Sequence, residues 1–365
     1  AAIAAAADLC AKAQRPLIFA GDAIAQSDAL GEIVAFAELL GAAVYAEAVA
    51  SRATFPSSHP LFFGTLTRSQ TVIRETLSRY DLVISLGADL FTLSLPSTTE
   101  AMPANIPIIH LDTDPWEIAK NYPAAVAILG EPKATLPELT AAVGERMTSA
   151  QHQAATARRN RNGADVELQR AKLAADARKA AARLPIEPLA LLQTISEVLP
   201  EDAVVIDETI SSGTGMRSLL RSNDAQSYFG LRGGGIGWGL PAAIGAQLAL
   251  PNRPVVGLIG DGSAMYTIQG LWTAAHEALG VTFVIFNNTS YKILKQRAHA
   301  MGQHTAQTQK YVAMDLIEPA IDFVALARSL GVDAERVTTL DQVRAQLERG
   351  IASKKPSLIE VVIAA

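Results

Sequence analysis

Cysteine is nearly absent. Cys10 is the single one in 365 residues, which excludes an internal disulfide framework and fits a reducing compartment. It reads as a core thiol rather than a nucleophile. No basic excess exists either: 31 Lys and Arg stand against 36 Asp and Glu, a net charge of −5, and no basic patch stands out. Nucleic acid is thereby excluded as an expected partner. No apolar run reaches the roughly 20 residues of a membrane-spanning helix. The opening "AAIAAAADLC" lacks a basic segment and is interrupted by Asp8, so it reads as an Ala-rich helix and not a signal peptide. Missing too are G-x-x-x-x-G-K-[ST], G-x-S-x-G and H-E-x-x-H, which disfavours P-loop, nucleophile-elbow and zincin chemistry. The chain has no initiator Met and begins within a helical pattern, so the expectation is a cytoplasmic protein represented by part of its length.

What is present is globular: 49% hydrophobic and 18% charged residues, in a length that suits two domains or three. The first part alternates strands and helices. "RPLIFAGD", "AAVYAE", "DLVISLGAD", "IPIIHLDTDP" and "AVAILG" read as strands, and Ala29 to Leu40 as a helix. Short apolar runs between amphipathic segments predict a parallel sheet covered on both faces. After Val143 the chain turns rich in Ala, Arg and Gln, as a solvated helix and linker would. This predicts a first domain over 1–145, a linker over 146–184 and a second domain over 185–365. The second domain restarts the alternation. Strands are expected at "DAVVIDE", "PVVGLIG", "VTFVIFNN" and "SLIEVVI", and helices over Pro188–Leu199, Gly213–Leu220, Leu240–Leu250, Ile268–Leu279 and Ile321–Leu330. The fold class expected is α/β, with two doubly wound parallel sheets.

The chemistry concentrates after "PVVGLIG". Gly260-Asp261-Gly262 follows that strand and Asn287-Asn288 follows the next, with one crossover helix between them. Such a crossover joins parallel strands, so both strands end at the same sheet edge. A carboxylate and an amide oxygen there can converge on one ion. Oxygen donors with few carboxylates suit Mg²⁺ accompanied by phosphate, whereas zinc would want His or Cys. The glycines let the backbone approach a phosphate closely. A turn and a strand-end cap are the plainer readings of each piece alone. "GWGLPA" matches G-x-G-x-x-A, but no clear strand leads into it, and nicotinamide binding is not expected.

Taken together, Gly260-Asp261-Gly262 to Asn287-Asn288, "RGGGIGWGLPAAIGAQLA" (232–249) and "DETISSGTGM" (207–216) resemble the thiamine diphosphate-dependent decarboxylase and acetolactate synthase superfamily, in particular its benzoylformate decarboxylase type. The first half resembles the central domain of that family. The resemblance implies thiamine diphosphate and Mg²⁺ as cofactors, with Asp261, the Asn288 side chain and the Ser290 backbone oxygen on the metal. It implies Gly260, Gly262, Ser263, Ser211, Gly235 and Tyr291 around the cofactor. Ile236 would force the two cofactor rings into a V, and the Gly234 carbonyl would accept from the aminopyrimidine, so that proton removal becomes intramolecular. Ile293, Leu294 and Arg297 would face substrate. Arg297 departs from the aromatic residue of the benzoylformate decarboxylases, and Leu93 and Ser94 stand where the family carries a central-domain histidine. An aryl substrate is therefore not favoured, and Arg297 is expected to pair with a polar or second carboxylate group.

The implied activity is non-oxidative decarboxylation of a 2-oxo acid, with carboligation of the acetolactate synthase or aldehyde-lyase kind as the alternative. A non-catalytic two-domain scaffold is the remaining reading. FAD in the central domain is possible in such carboligases, but nothing in the sequence indicates it. A homodimer or homotetramer is implied, because the family holds its cofactor between subunits. The pyrimidine-binding domain and its glutamate have no counterpart in the sequence, so this chain alone is expected not to decarboxylate. His59 and His110 are expected in core or capping roles and His276 in a structural one, with His299 and His304 in a polar stretch able to cover the site.

Overall fold

The computed structural model describes residues 1–364, which form two compact units. The first comprises Ala1–Ala171 with Arg221–Gln226, and the second Lys172–Leu220 with Ser227 onward.

In the first unit, strands β1 (Pro16–Ala20), β2 (Ala43–Ala46), β3 (Phe62–Thr65), β4 (Leu82–Leu86), β5 (Ile108–Asp112) and β6 (Val126–Leu129) form one parallel sheet in the order β3-β2-β1-β4-β5-β6. Every residue of β1, β4 and β5 is buried. Consecutive side chains leave opposite faces of a strand, so a sheet covered on both sides needs an unbroken apolar run. Leu17, Phe19 and Val83 accordingly join Leu77 in one core, while Ile18, Ile84 and Ile109 join Phe36 in another. Cys10 lies in the second of these, its thiol pushed up to about 12 by burial. A thiol so rarely ionised is a poor nucleophile.

The second unit repeats the design with β7 (Val204–Glu208), β8 (Tyr228–Gly230), β9 (Val255–Gly260), β10 (Val281–Asn287), β11 (Asp333–Val337) and β12 (Ser357–Val362), ordered β11-β12-β10-β9-β7-β8 and parallel throughout. Its core is built on Val204, Ile206, Ile259, Phe283 and Ile285 with Leu240, Leu271 and Phe323 from the helices. The register pairs Glu208 with Ile259 and Phe286 with Gly260, so β7, β9 and β10 finish side by side at one edge.

Three strands were not foreseen, and each has a physical reason. Strand β3 has four residues and β8 three, too short for a pattern to emerge. Strand β11, "DAERV", lies at a sheet edge, where charged residues face water and also deter further pairing. The short β8 is also the strand ahead of "GWGLPA", where the sequence shows no clear one. The helix expected over 213–220 is confined to Met216–Leu219. Residues Ser149–Ala180 form one long helix, solvated on much of its surface, with Ala155, Arg158, Val166 and Ala177 buried along it. Among the described residues no helix is long and apolar enough to cross a membrane.

Candidate active site

One cavity at the shared edge of β7, β9 and β10 is lined by Gly260, Asp261, Gly262 and Ser263, by Asn288, Ser290 and Tyr291, and by Ser211 and Ile236. Segments around Ser211, Ile236, Asp261 and Asn288, well apart in sequence, thus meet at one sheet edge. Asp261 opens a single helical turn, Asp261–Ala264, directly after β9, and is 3% exposed. Its Oδ1 accepts from Gly262 N at 2.8 Å and its Oδ2 from Ser290 N at 3.3 Å. Burial pushes its carboxyl up to about 6, against the opposing pull of the N–H groups of Gly262, Ser290, Thr289 and Asn288.

Asn288 is brought to the same point by a reversal of the backbone. Thr289 takes φ +55°, and Ser290 N then donates to Asn288 Oδ1 at 3.0 Å. Ser290 is tied down in turn, its hydroxyl donating to Met314 O at 2.9 Å. A buried carboxylate and an amide oxygen at this point offer hard-oxygen donors with one formal charge. That set fits Mg²⁺ shared with phosphate oxygens, and it does not fit zinc. A Cβ at Gly262 would lie 2.4 Å from Tyr291 Cε1, so glycine is what permits the ring and the backbone to approach.

The third wall starts at the end of β7, where two acids point in different directions. Asp207 accepts from Thr209 N at 2.9 Å and from the Tyr228 hydroxyl at 2.8 Å, pinning the loop that carries Ser211. In that loop Ile210 holds φ +44°, a region β-branched residues rarely adopt. Glu208, 1% exposed, turns instead to the glycine segment. It accepts from Gly237 N at 2.7 Å, Trp238 N at 3.2 Å and Gly239 N at 2.7 Å. Burial raises the Glu208 carboxyl above its ordinary range, and these three N–H groups oppose the rise.

Thr209, Ile210, Ser212, Phe286 and Lys292 also line the cavity, although sequence reasoning did not single them out. The signal was available, since each lies within or beside a segment already marked. Gly234 and Gly235 stand in the exposed part of the glycine segment, outside the lining, and Gly234 takes φ +74°. Of the three residues expected to face substrate, Ile293 lines the cavity, whereas Leu294 and Arg297 are exposed on the helix Lys292–Ala300 and do not. His59 and His110 cap backbone locally, through Leu61 N and Ala119 N. His276 stacks on Trp272 at a ring separation of 4.8 Å, and His299 pairs with the Tyr311 hydroxyl at 2.5 Å. Neither His299 nor His304 lines the cavity.

Comparison with known proteins places this geometry in context. The family model described as thiamine pyrophosphate enzyme, central domain, matches residues 3–139, and that described as thiamine pyrophosphate enzyme, C-terminal TPP binding domain, matches residues 212–361. A benzoylformate decarboxylase of Pseudomonas aeruginosa is 31% identical over 350 residues, covering 96% of this chain and 61% of that protein. An acetolactate synthase large subunit of Parasynechococcus marenigrum is 30% identical over 363 residues, covering 99% of this chain and 56% of its own length. The crystal structure of a benzoylformate decarboxylase from Polynucleobacter necessarius superposes with a TM-score of 0.83 at 28% identity, over 99% of this chain and 64% of that one. The chain therefore spans about three fifths of the length of these relatives.

Proposed function

The chain belongs to the thiamine pyrophosphate enzyme family, carrying its central and C-terminal domains, and on that premise we propose that the protein decarboxylates a small 2-oxo acid non-oxidatively, using thiamine diphosphate and Mg²⁺. The observation that carries the reading is the convergence of Asp261, Asn288 and Ser290 with Ser211, Ser263 and Ile236 on one cavity. When bound, the cofactor supplies an electron sink for the bond to CO₂. The residues of the chain do the rest. Asp261 and Asn288 Oδ1, with the Ser290 carbonyl, would hold the metal. Ser211 and Ser263 would offer hydroxyl donors to the diphosphate, Gly262 would let the backbone lie close to it, and Gly260 and Tyr291 would complete that wall. Ile236 would pack against the cofactor rings, and the Gly234 carbonyl, with Gly235 beside it, would accept from the aminopyrimidine. Ile293 offers an apolar contact to the side chain of the substrate.

Positioning of this kind turns a bimolecular encounter into an intramolecular one. A second reading, carboligation with the same cofactor, is supported by the similarity to an acetolactate synthase over 99% of the chain. Either activity belongs to the whole protein, which we read as a homodimer or homotetramer. The test is full-length protein with thiamine diphosphate and Mg²⁺, offered a panel of 2-oxo acids and scored for CO₂, free aldehyde and acyloin. Free aldehyde is the expected product. Acyloin as the main product supports the second reading, and no consumption of any 2-oxo acid overturns both.

A further inference from the structure

Glu208 lies at the junction of two walls of the candidate active site. Its own chain continues into Thr209, Ser211 and Ser212 of the cavity, while its carboxylate accepts three consecutive backbone N–H groups at Gly237, Trp238 and Gly239, at 2.7–3.2 Å. The residue immediately before those three is Ile236, which lines the same cavity. A carboxylate that is 1% exposed is costly to bury unless its oxygens are satisfied. Here the satisfaction comes entirely from one turn of backbone, so the carboxylate and that turn fix each other's positions.

The arrangement also decides what this helix end can do. Gly239 begins an 11-residue helix, Gly239–Ala249, whose first N–H groups would ordinarily be open to an anionic ligand. Glu208 occupies that position with a charge of the protein's own and complements the helix dipole. A phosphate group is thereby kept from this end of the site and left to the Asp261 end. The fit is close. A Cβ at Gly239 would lie 2.8 Å from both Cβ and Oε2 of Glu208. Gly237 takes φ +98°, a conformation that aims its N–H at the carboxylate and that other residues adopt only with strain.

We propose that Glu208 is a positioning residue for the ring end of the cofactor: its carboxylate clamps the 237–239 turn and thereby fixes Ile236 against the rings, without contributing to the diphosphate end. This rests on the thiamine diphosphate reading above. The clamp makes a prediction that general destabilisation does not, because it separates two halves of one ligand. Glu208→Gln keeps the shape, but its amide nitrogen faces the Gly239 N–H, donor against donor. Gly239→Ala keeps the charge and displaces the carboxylate sterically, and it serves if the first variant fails to fold.

Calorimetric titration of full-length protein in Mg²⁺ compares thiamine diphosphate with inorganic pyrophosphate. Either variant is expected to weaken thiamine diphosphate binding tenfold or more while leaving pyrophosphate binding within twofold. Unchanged affinity for both ligands, or an equal loss for both, overturns the assignment. Wild-type protein that binds neither ligand refutes the thiamine diphosphate reading itself, and this inference with it.

Discussion

Replacing Arg336 by Met should destabilise the second unit by about 2–3 kcal/mol. Glu360, on the central part of β12, is fully buried. Its Oε2 accepts from Arg336 Nε at 2.9 Å and its Oε1 from Asn287 Nδ2 at 2.7 Å. Removing one partner of a buried ion pair typically costs about 3–5 kcal/mol, because the other charge is left uncompensated. Two features place this case at or below the lower end. The Arg336 side chain is 48% exposed, so water already screens the pair. A cavity of about 160 Å³ lined by Arg336, Glu360 and Asp261 also has room for water to reach the stranded carboxylate.

For a domain of 150–250 residues, each kcal/mol moves the melting temperature by about 2–4 °C, so a fall of about 4–12 °C is expected. Urea unfolding followed by circular dichroism measures the free energy directly. The double variant Arg336→Met, Glu360→Met should recover most of the loss, since apolar replacements remove the buried charge along with its partner. A single variant within about 0.5 kcal/mol of wild type would refute the reasoning, placing the pair among ordinary surface ion pairs. Asn287 shares the Glu360 carboxylate and precedes Asn288, so the same substitution should also loosen the metal-site loop, seen as weaker Mg²⁺-dependent binding of pyrophosphate.

Gly262→Ala brings a Cβ to 2.4 Å from Tyr291 Cε1, so the ring must swing; the protein should remain folded while Mg²⁺-dependent pyrophosphate binding drops by about tenfold, read by calorimetry. His110, 2% exposed, is held neutral, burial having lowered its pKa from 6.5. The unfolded chain therefore gains the proton first, and stability conferred by the neutral ring above pH 6.5 is lost as the pH falls below it. Asp112, raised by burial, acts in the opposite sense at lower pH. His110→Gln should flatten the pH dependence of the urea midpoint as the pH falls below 6.5, and an unchanged slope would show the histidine to be uninvolved. Ile293 lines the cavity and Arg297 does not; Ile293→Ala should alter relative kcat/KM values across a series of 2-oxo acids by several-fold, and more than Arg297→Ala does.

Much of this protein was legible without coordinates. Strands β1, β4, β7, β9 and β10 announce themselves because strands covered on both faces must be continuously apolar. The crossover between β9 and β10 then brings Asp261 and Asn288 to one edge, since two strands joined by a crossover run parallel and finish on the same side of the sheet. Local chemistry determined these features, and local chemistry is what a sequence displays.

Tertiary structure alone decided the partners of the buried charges. Nothing in "VVIDE" tells that Asp207 turns to Thr209 and Tyr228 while Glu208 reaches 29 residues onward to Gly237. Nor does "SLIEVVI" say that its glutamate meets Arg336 and Asn287. It was also tertiary placement that put Ile293 on the cavity and left Leu294 and Arg297 in solvent, three neighbours on one short helix. An apolar pattern fixes which face of an element is buried, but a buried polar group is satisfied by whatever donor lies within about 3 Å, and that proximity exists only once the elements have packed.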